Sequence, residues 1–92
     1  MLQYVSMFEL PNSELSCYPN PFSEVVFINL ELFEANKPVN ITIHNALGEE
    51  VYSTLAKQNA FCKLELAFLP KNTVYIVSAT QGKLEYRCKL LK

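Results

Sequence analysis

Few residues in this chain are of a type and spacing that could do chemistry, and those that are lack partners. His44 is the single histidine, and the alternation from Pro38 to His44 turns it outward beside a turn. A catalytic base needs an orienting group and a metal site needs several donors. Neither is at hand, because all nine acidic residues are glutamate and aspartate is absent. Glu49 and Glu50 are adjacent, but neighbours on a strand point to opposite faces, so they do not form an acid/base pair. The three cysteines, Cys17, Cys62 and Cys88, show no CxxC spacing, which argues against metal. Cys62 and Cys88 fall on apolar positions of alternating runs and are expected as buried thiols rather than as a disulfide. Their odd count leaves the redox compartment open.

The remaining motifs also have structural readings. Asn40-Ile41-Thr42 matches the N-glycosylation acceptor pattern, yet inside an alternating run it reads as an outward polar pair. Five tyrosines could line a groove, but Tyr75 and Tyr86 sit where core contacts are expected. There is no glycine-rich phosphate loop and no nucleophile elbow. The formal net charge of −1 gives no electrostatic pull toward nucleic acid or anionic membranes. No catalysis, cofactor, metal or small-molecule substrate is expected.

The elements that position these residues are short strands. With 92 residues and 50% hydrophobic content, the chain suits one globular domain with a two-layer core. No apolar run is long enough for a membrane-spanning helix, and Met1 to Phe8 does not read as a signal peptide. Residues 1–14 read as a linker or the remnant of an upstream region, since Glu9-Leu10-Pro11-Asn12-Ser13-Glu14 carries several loop signals. Residues 15–92 read as the domain.

From Leu15 the pattern has period two. Leu15 to Tyr18 leads into a corner, and Glu24 to Leu32 follows with Val26, Ile28, Leu30 and Leu32 on one face. Pro38 to His44 puts Val39, Ile41 and Ile43 inward. Asn45-Ala46-Leu47-Gly48 closes a hairpin, with Gly48 supplying the positive φ of a bulged turn, and Glu49 to Leu55 returns. Ala56 to Ala60 is a polar turn before Phe61 to Leu66. Val74 to Ala79 is hydrophobic on both faces and reads as a central strand. Thr80-Gln81-Gly82-Lys83 turns into a last strand whose Leu84, Tyr86, Cys88 and Leu90 face inward. About seven strands at this spacing predict an all-β, immunoglobulin-like sandwich of antiparallel strands.

The corner itself is Cys17-Tyr18-Pro19-Asn20-Pro21-Phe22. Two prolines one residue apart fix two φ angles and remove two backbone donors, so no regular element runs through. Asn20 between them can bond to nearby backbone with its short amide.

Taken in order, Tyr18-Pro19-Asn20-Pro21-Phe22, Leu47-Gly48-Glu49-Glu50-Val51-Tyr52, Leu69-Pro70 before Tyr75-Ile76-Val77, and the closing Lys89-Leu90-Leu91-Lys92 resemble the type A C-terminal sorting domain of the type IX secretion system. The resemblance runs from Leu15 to Lys92. It implies a seven-stranded immunoglobulin-like domain at the end of an exported Bacteroidetes-type protein, in periplasmic transit and then at the cell surface or secreted. It further implies recognition by the outer-membrane translocon and removal by a sortase-like peptidase, with cleavage before Leu15. The recognition features carried over are Tyr18, Pro19, Asn20, Pro21, Phe22, Leu47, Gly48, Tyr75, Lys89, Leu90, Leu91 and Lys92. Its partners would be that machinery and an upstream cargo in the same parent chain, the domain itself being a monomer. One departure is Lys71-Asn72-Thr73-Val74-Tyr75, where the family commonly has a glycine. Asn72 tolerates positive φ and is expected to stand in. The alternative is an accessory glycan- or protein-binding module of an extracellular enzyme or adhesin, gripping through exposed Tyr4 or Tyr52.

Overall fold

Residues that alternate in polarity form strands because every second side chain gains a buried face. The computed structural model of the chain describes residues 15–57 and 61–92. Its strands are β1 (Ser16–Tyr18), β2 (Val25–Asn29), β3 (Val39–His44), β4 (Glu50–Ala56), β5 (Phe61–Glu65), β6 (Val74–Gln81) and β7 (Leu84–Leu91). They make two antiparallel sheets, ordered β1-β2-β5 and β4-β3-β6-β7. The sheets share one core and form an immunoglobulin-like sandwich, as the alternation predicts. Val26, Ile28 and Leu64 from the first sheet and Ile41, Ile43, Tyr75, Val77 and Leu90 from the second are all buried in it.

The turns have the predicted chemistry. Gly48 takes φ +88° and Gly82 φ +60°, the left-handed values that favour glycine. Asn72 takes φ +62° in the loop before β6, a left-handed value that asparagine tolerates better than most residues. The run from Val74 is central in its sheet, between β3 and β7. Only one of its faces meets the other layer, because Tyr75, Val77 and Ala79 are buried while Val74 and Ile76 are half-buried on the outer side.

Three expected strand boundaries need correction. The second run stops at Asn29 rather than Leu32. The Asn29 Oδ1 accepts the Glu31 N–H at 2.8 Å and the Phe33 N–H donates to the Leu30 carbonyl at 3.1 Å, so the chain turns and Leu32 is left 47% exposed. Such side-chain-to-backbone bonds compete with a sheet ladder. Ala56, placed in a turn, instead ends β4 and is buried, while residues 58–60 of that turn lie outside the described residues. Gln81, also placed in a turn, is buried at the end of β6. Its amide accepts the Glu34 N–H at 2.8 Å and donates to the carbonyls of Glu34 and Lys37 at 3.0 and 3.1 Å. It thereby fastens the loop between β2 and β3 to the end of β6.

The cysteines differ most from expectation. Cys17 and Cys88 form a disulfide that joins β1 of one sheet to β7 of the other, with Cα atoms 6.7 Å apart. Alternation places Cys88 inward but is silent on what stands opposite. The opposite position is filled by a strand 71 residues earlier, at a Cα separation near the upper end of the range that disulfides span. Cys62 is the free thiol, half-buried, and burial pushes its pKa up. It is therefore protonated and weakly nucleophilic at neutral pH.

A loop of this length lets the disulfide stabilise the fold by about 4 kcal/mol through unfolded-chain entropy. Cys88→Ser is expected to lower the unfolding free energy by about that amount in urea titrations, with the Cys62→Ser control unchanged to within about 1 kcal/mol. Equal stability of Cys88→Ser and wild type would show that the crosslink does not hold the sheets.

Candidate functional site

The strand registers bring the sequence-selected residues to one end of the sandwich. His44 pairs with Ile76, and Val74 pairs with Leu91. The β3–β4 hairpin, the loop before β6 and the end of β7 therefore share that end. The double-proline corner reaches it too, because the Phe22 N–H donates to the Leu91 carbonyl at 2.9 Å.

β7 is the last strand of its sheet, and such an edge leaves backbone groups unpaired. Here the corner pairs them. The Leu15 N–H donates to the Arg87 carbonyl at 2.8 Å. The Asn20 amide donates to the Lys89 carbonyl and accepts the Leu91 N–H, both at 2.9 Å. That side chain exchanges two bonds with β7 as a neighbouring peptide unit would. Two cis bonds, Tyr18–Pro19 and Asn20–Pro21, flank it. Intermolecular pairing along the terminal strand is correspondingly blocked from Arg87 to Leu91.

Behind this contact Phe22 is buried, its ring 6.3 Å from that of Tyr75. Tyr75 is 1% exposed, and its hydroxyl donates to the Pro70 carbonyl at 2.7 Å. This return bond to backbone just upstream is a feature of immunoglobulin-like sandwiches. Burial pushes the phenol pKa above its usual value, so the group stays a neutral donor.

Lys92 closes the cluster. Its backbone continues past β7, with its N–H donating to the Thr73 carbonyl at 3.1 Å and its carbonyl accepting the Asn72 N–H at 2.7 Å. Its ammonium turns inward and donates to the carbonyls of Leu66, Ala67 and Leu69 at 2.8, 3.1 and 2.7 Å. It also lies 5.5 Å from the centre of the Phe22 ring, a cation–π distance. Three carbonyls and an aromatic face thus fill the ammonium's coordination, so its charge holds the turn after β5.

The hairpin is built from Asn45. Its Oδ1 accepts the N–H groups of Leu47 and Glu49 at 3.0 and 2.9 Å, and its carbonyl accepts the Gly48 N–H at 3.0 Å. The tip presents Leu47, 83% exposed.

The selected residues therefore fall into two groups. Asn20, Phe22, Tyr75, Leu90 and Lys92 build the end through buried or bonded side chains. Leu47, Gly48, Lys89 and Leu91 lie on its surface. Tyr18 stands apart, stacked at 5.9 Å on Phe27, its partner on the neighbouring strand β2. Sequence reasoning missed Leu15, the Cys17–Cys88 bond and the accepting carbonyls of the turn after β5. Backbone acceptors carry no residue-type signal, which is why that turn was not legible.

His44 is half-buried on the outer face of its sheet, and Glu49 accepts a bond from the Asn45 amide at 2.9 Å. Tyr52, the described half of the alternative binding reading, is half-buried with its ring 5.9 Å from that of Phe68. Tyr4 lies outside the described residues. The described residues hold no group of three or more His, Cys, Asp or Glu side chains placed to bind a metal.

Most of the residues marked by the resemblance thus meet at one end of an immunoglobulin-like β-sandwich. The family model described as the secretion system C-terminal sorting domain matches residues 16–92, and the chain belongs to that family. It carries a C-terminal sorting signal of the type IX secretion system found in Bacteroidetes, which directs the protein bearing it to the cell surface or to secretion. No curated protein matches the sequence.

Two measurements check this geometry. Lys92→Ala is expected to lose about 2 kcal/mol, the range of charge-assisted bonds, and n-propylammonium, but not sodium, is expected to restore part of the melting temperature. For Tyr75, the folded pKa lies above the unfolded one, so its contribution is complete below pH 10 and is lost as pH rises through the folded value. The stability gap between wild type and Tyr75→Phe should therefore narrow above pH 10, and a gap that widens would refute the neutral buried phenol.

Proposed function

We propose that this domain is a removable address, docked by the type IX outer-membrane translocon through the end that the corner and the last strand build together. The carrying observation is the convergence of Asn20, Phe22, Tyr75 and Lys92 on the end of β7. Residues distant in sequence meet there around a single surface. Leu47, Gly48, Lys89 and Leu91 present that surface to the machinery.

The passage runs through the periplasm, and the Cys17–Cys88 disulfide suits an oxidising compartment of that kind. After crossing, a sortase-like peptidase cuts before Leu15 and joins the upstream cargo to surface lipopolysaccharide. The cut falls ahead of Leu15, the residue whose N–H bonds to Arg87, so the sandwich is released whole.

The whole chain fused behind a reporter, in a host with a type IX system, is expected to place the reporter at the surface. Deleting Lys89 to Lys92 should abolish delivery and leave the reporter in the periplasm. Unchanged delivery after the deletion would sink the proposal.

A further inference from the structure

β6 has an apolar residue at nearly every position of its first half, yet only one of its faces is covered. Strands that read hydrophobic on both faces are normally buried on both. Here Val74 and Ile76 face outward, and Leu91, paired beside Val74, is 45% exposed. Val74 and Ile76 floor an open depression of about 550 Å³ whose walls include His44, Gly48, Arg87 and Lys89. Two of these, Gly48 and Lys89, are among the residues that the family resemblance marks.

The rim is cationic. Arg87 is held by Glu85, with Nη2 and Nε each 3.0 Å from the same carboxylate oxygen. Lys89 lies across from Ile76 and has no ion pair among the described residues. Its ammonium stands free beside an apolar floor.

We infer that this outer face, from Val74 and Ile76 to Lys89, is the docking surface itself, and that its occupant is an extended acidic segment of a translocon protein. An apolar side chain of that segment covers Val74 and Ile76, and a carboxylate meets Lys89. The inference rests on the sorting reading and specifies the chemistry of the partner. Lys92 stays out of the contact, since its ammonium is already bonded inside the fold.

The test uses the whole chain behind a reporter in a type IX host, with the melting temperature of each purified variant as the folding control. Lys89→Glu and Ile76→Thr are expected to lower surface delivery about tenfold, the effect of losing one buried interfacial contact, with melting temperatures near wild type. Lys89→Arg should keep delivery, and Lys83→Glu, in the turn before β7 at the opposite end, should not change it. If Lys89→Glu and Ile76→Thr deliver like wild type while deletion of Lys89 to Lys92 does not, the surface is wrong and the sorting reading stands. Delivery absent even in wild type overturns both. A dimer in sedimentation that Ile76→Thr dissolves would assign the face to a second copy and overturn the acidic partner.

Discussion

The structure depends on how the outer edge of β7 is closed. Left open, a terminal strand would expose backbone donors and acceptors to any passing chain. Leu15 and the corner together bond four of them between Arg87 and Leu91, with backbone at Leu15 and Phe22 and a side-chain amide at Asn20. Prolines suit this role because they stop the corner from continuing as a strand of its own. Once the edge is closed, Phe22 is placed against Tyr75, and its ring offers a face to the Lys92 ammonium. The disulfide fastens the same side of the sandwich between β1 and β7. The beginning and the end of the described domain thus hold each other.

That arrangement divides the labour among residues that a motif would lump together. Lys89 and Lys92 are both lysines near residue 92, but one stands on the outer sheet face and the other is bonded to three carbonyls. Leu90 and Leu91 differ likewise, one fully buried and one 45% exposed. Neighbours on a strand face opposite ways, so a terminal strand naturally supplies both an anchor and a display. The exposed residues at this end are thus held in place by the buried ones beneath them.

Much of the fold was legible because alternation is a local signal. Val39, Ile41 and Ile43 were placed inward and are buried, and the left-handed positions at Gly48, Gly82 and Asn72 follow from residue type. The failures are all long-range or side-chain effects. Asn20 was read as bonding nearby backbone; the backbone it bonds is 69 and 71 residues away. Asn29 ended a strand by bonding Glu31, against an apolar pattern that ran on to Leu32. The disulfide and the Gln81 clamp join segments that no periodicity relates. For the candidate site, the residue list was available from the resemblance, but which side chains build and which display required the fold.

The most direct test of the account is surface delivery by an Asn20→Ala chain, measured together with amide hydrogen exchange at Leu91. Asn20→Ala removes two hydrogen bonds to the edge of β7, worth about 2 kcal/mol. Rapid exchange at Leu91 and a matching fall in delivery are the predicted result. Rapid exchange at Leu91 with delivery at the wild-type level would contradict the claim that the closed edge is what makes this end recognisable.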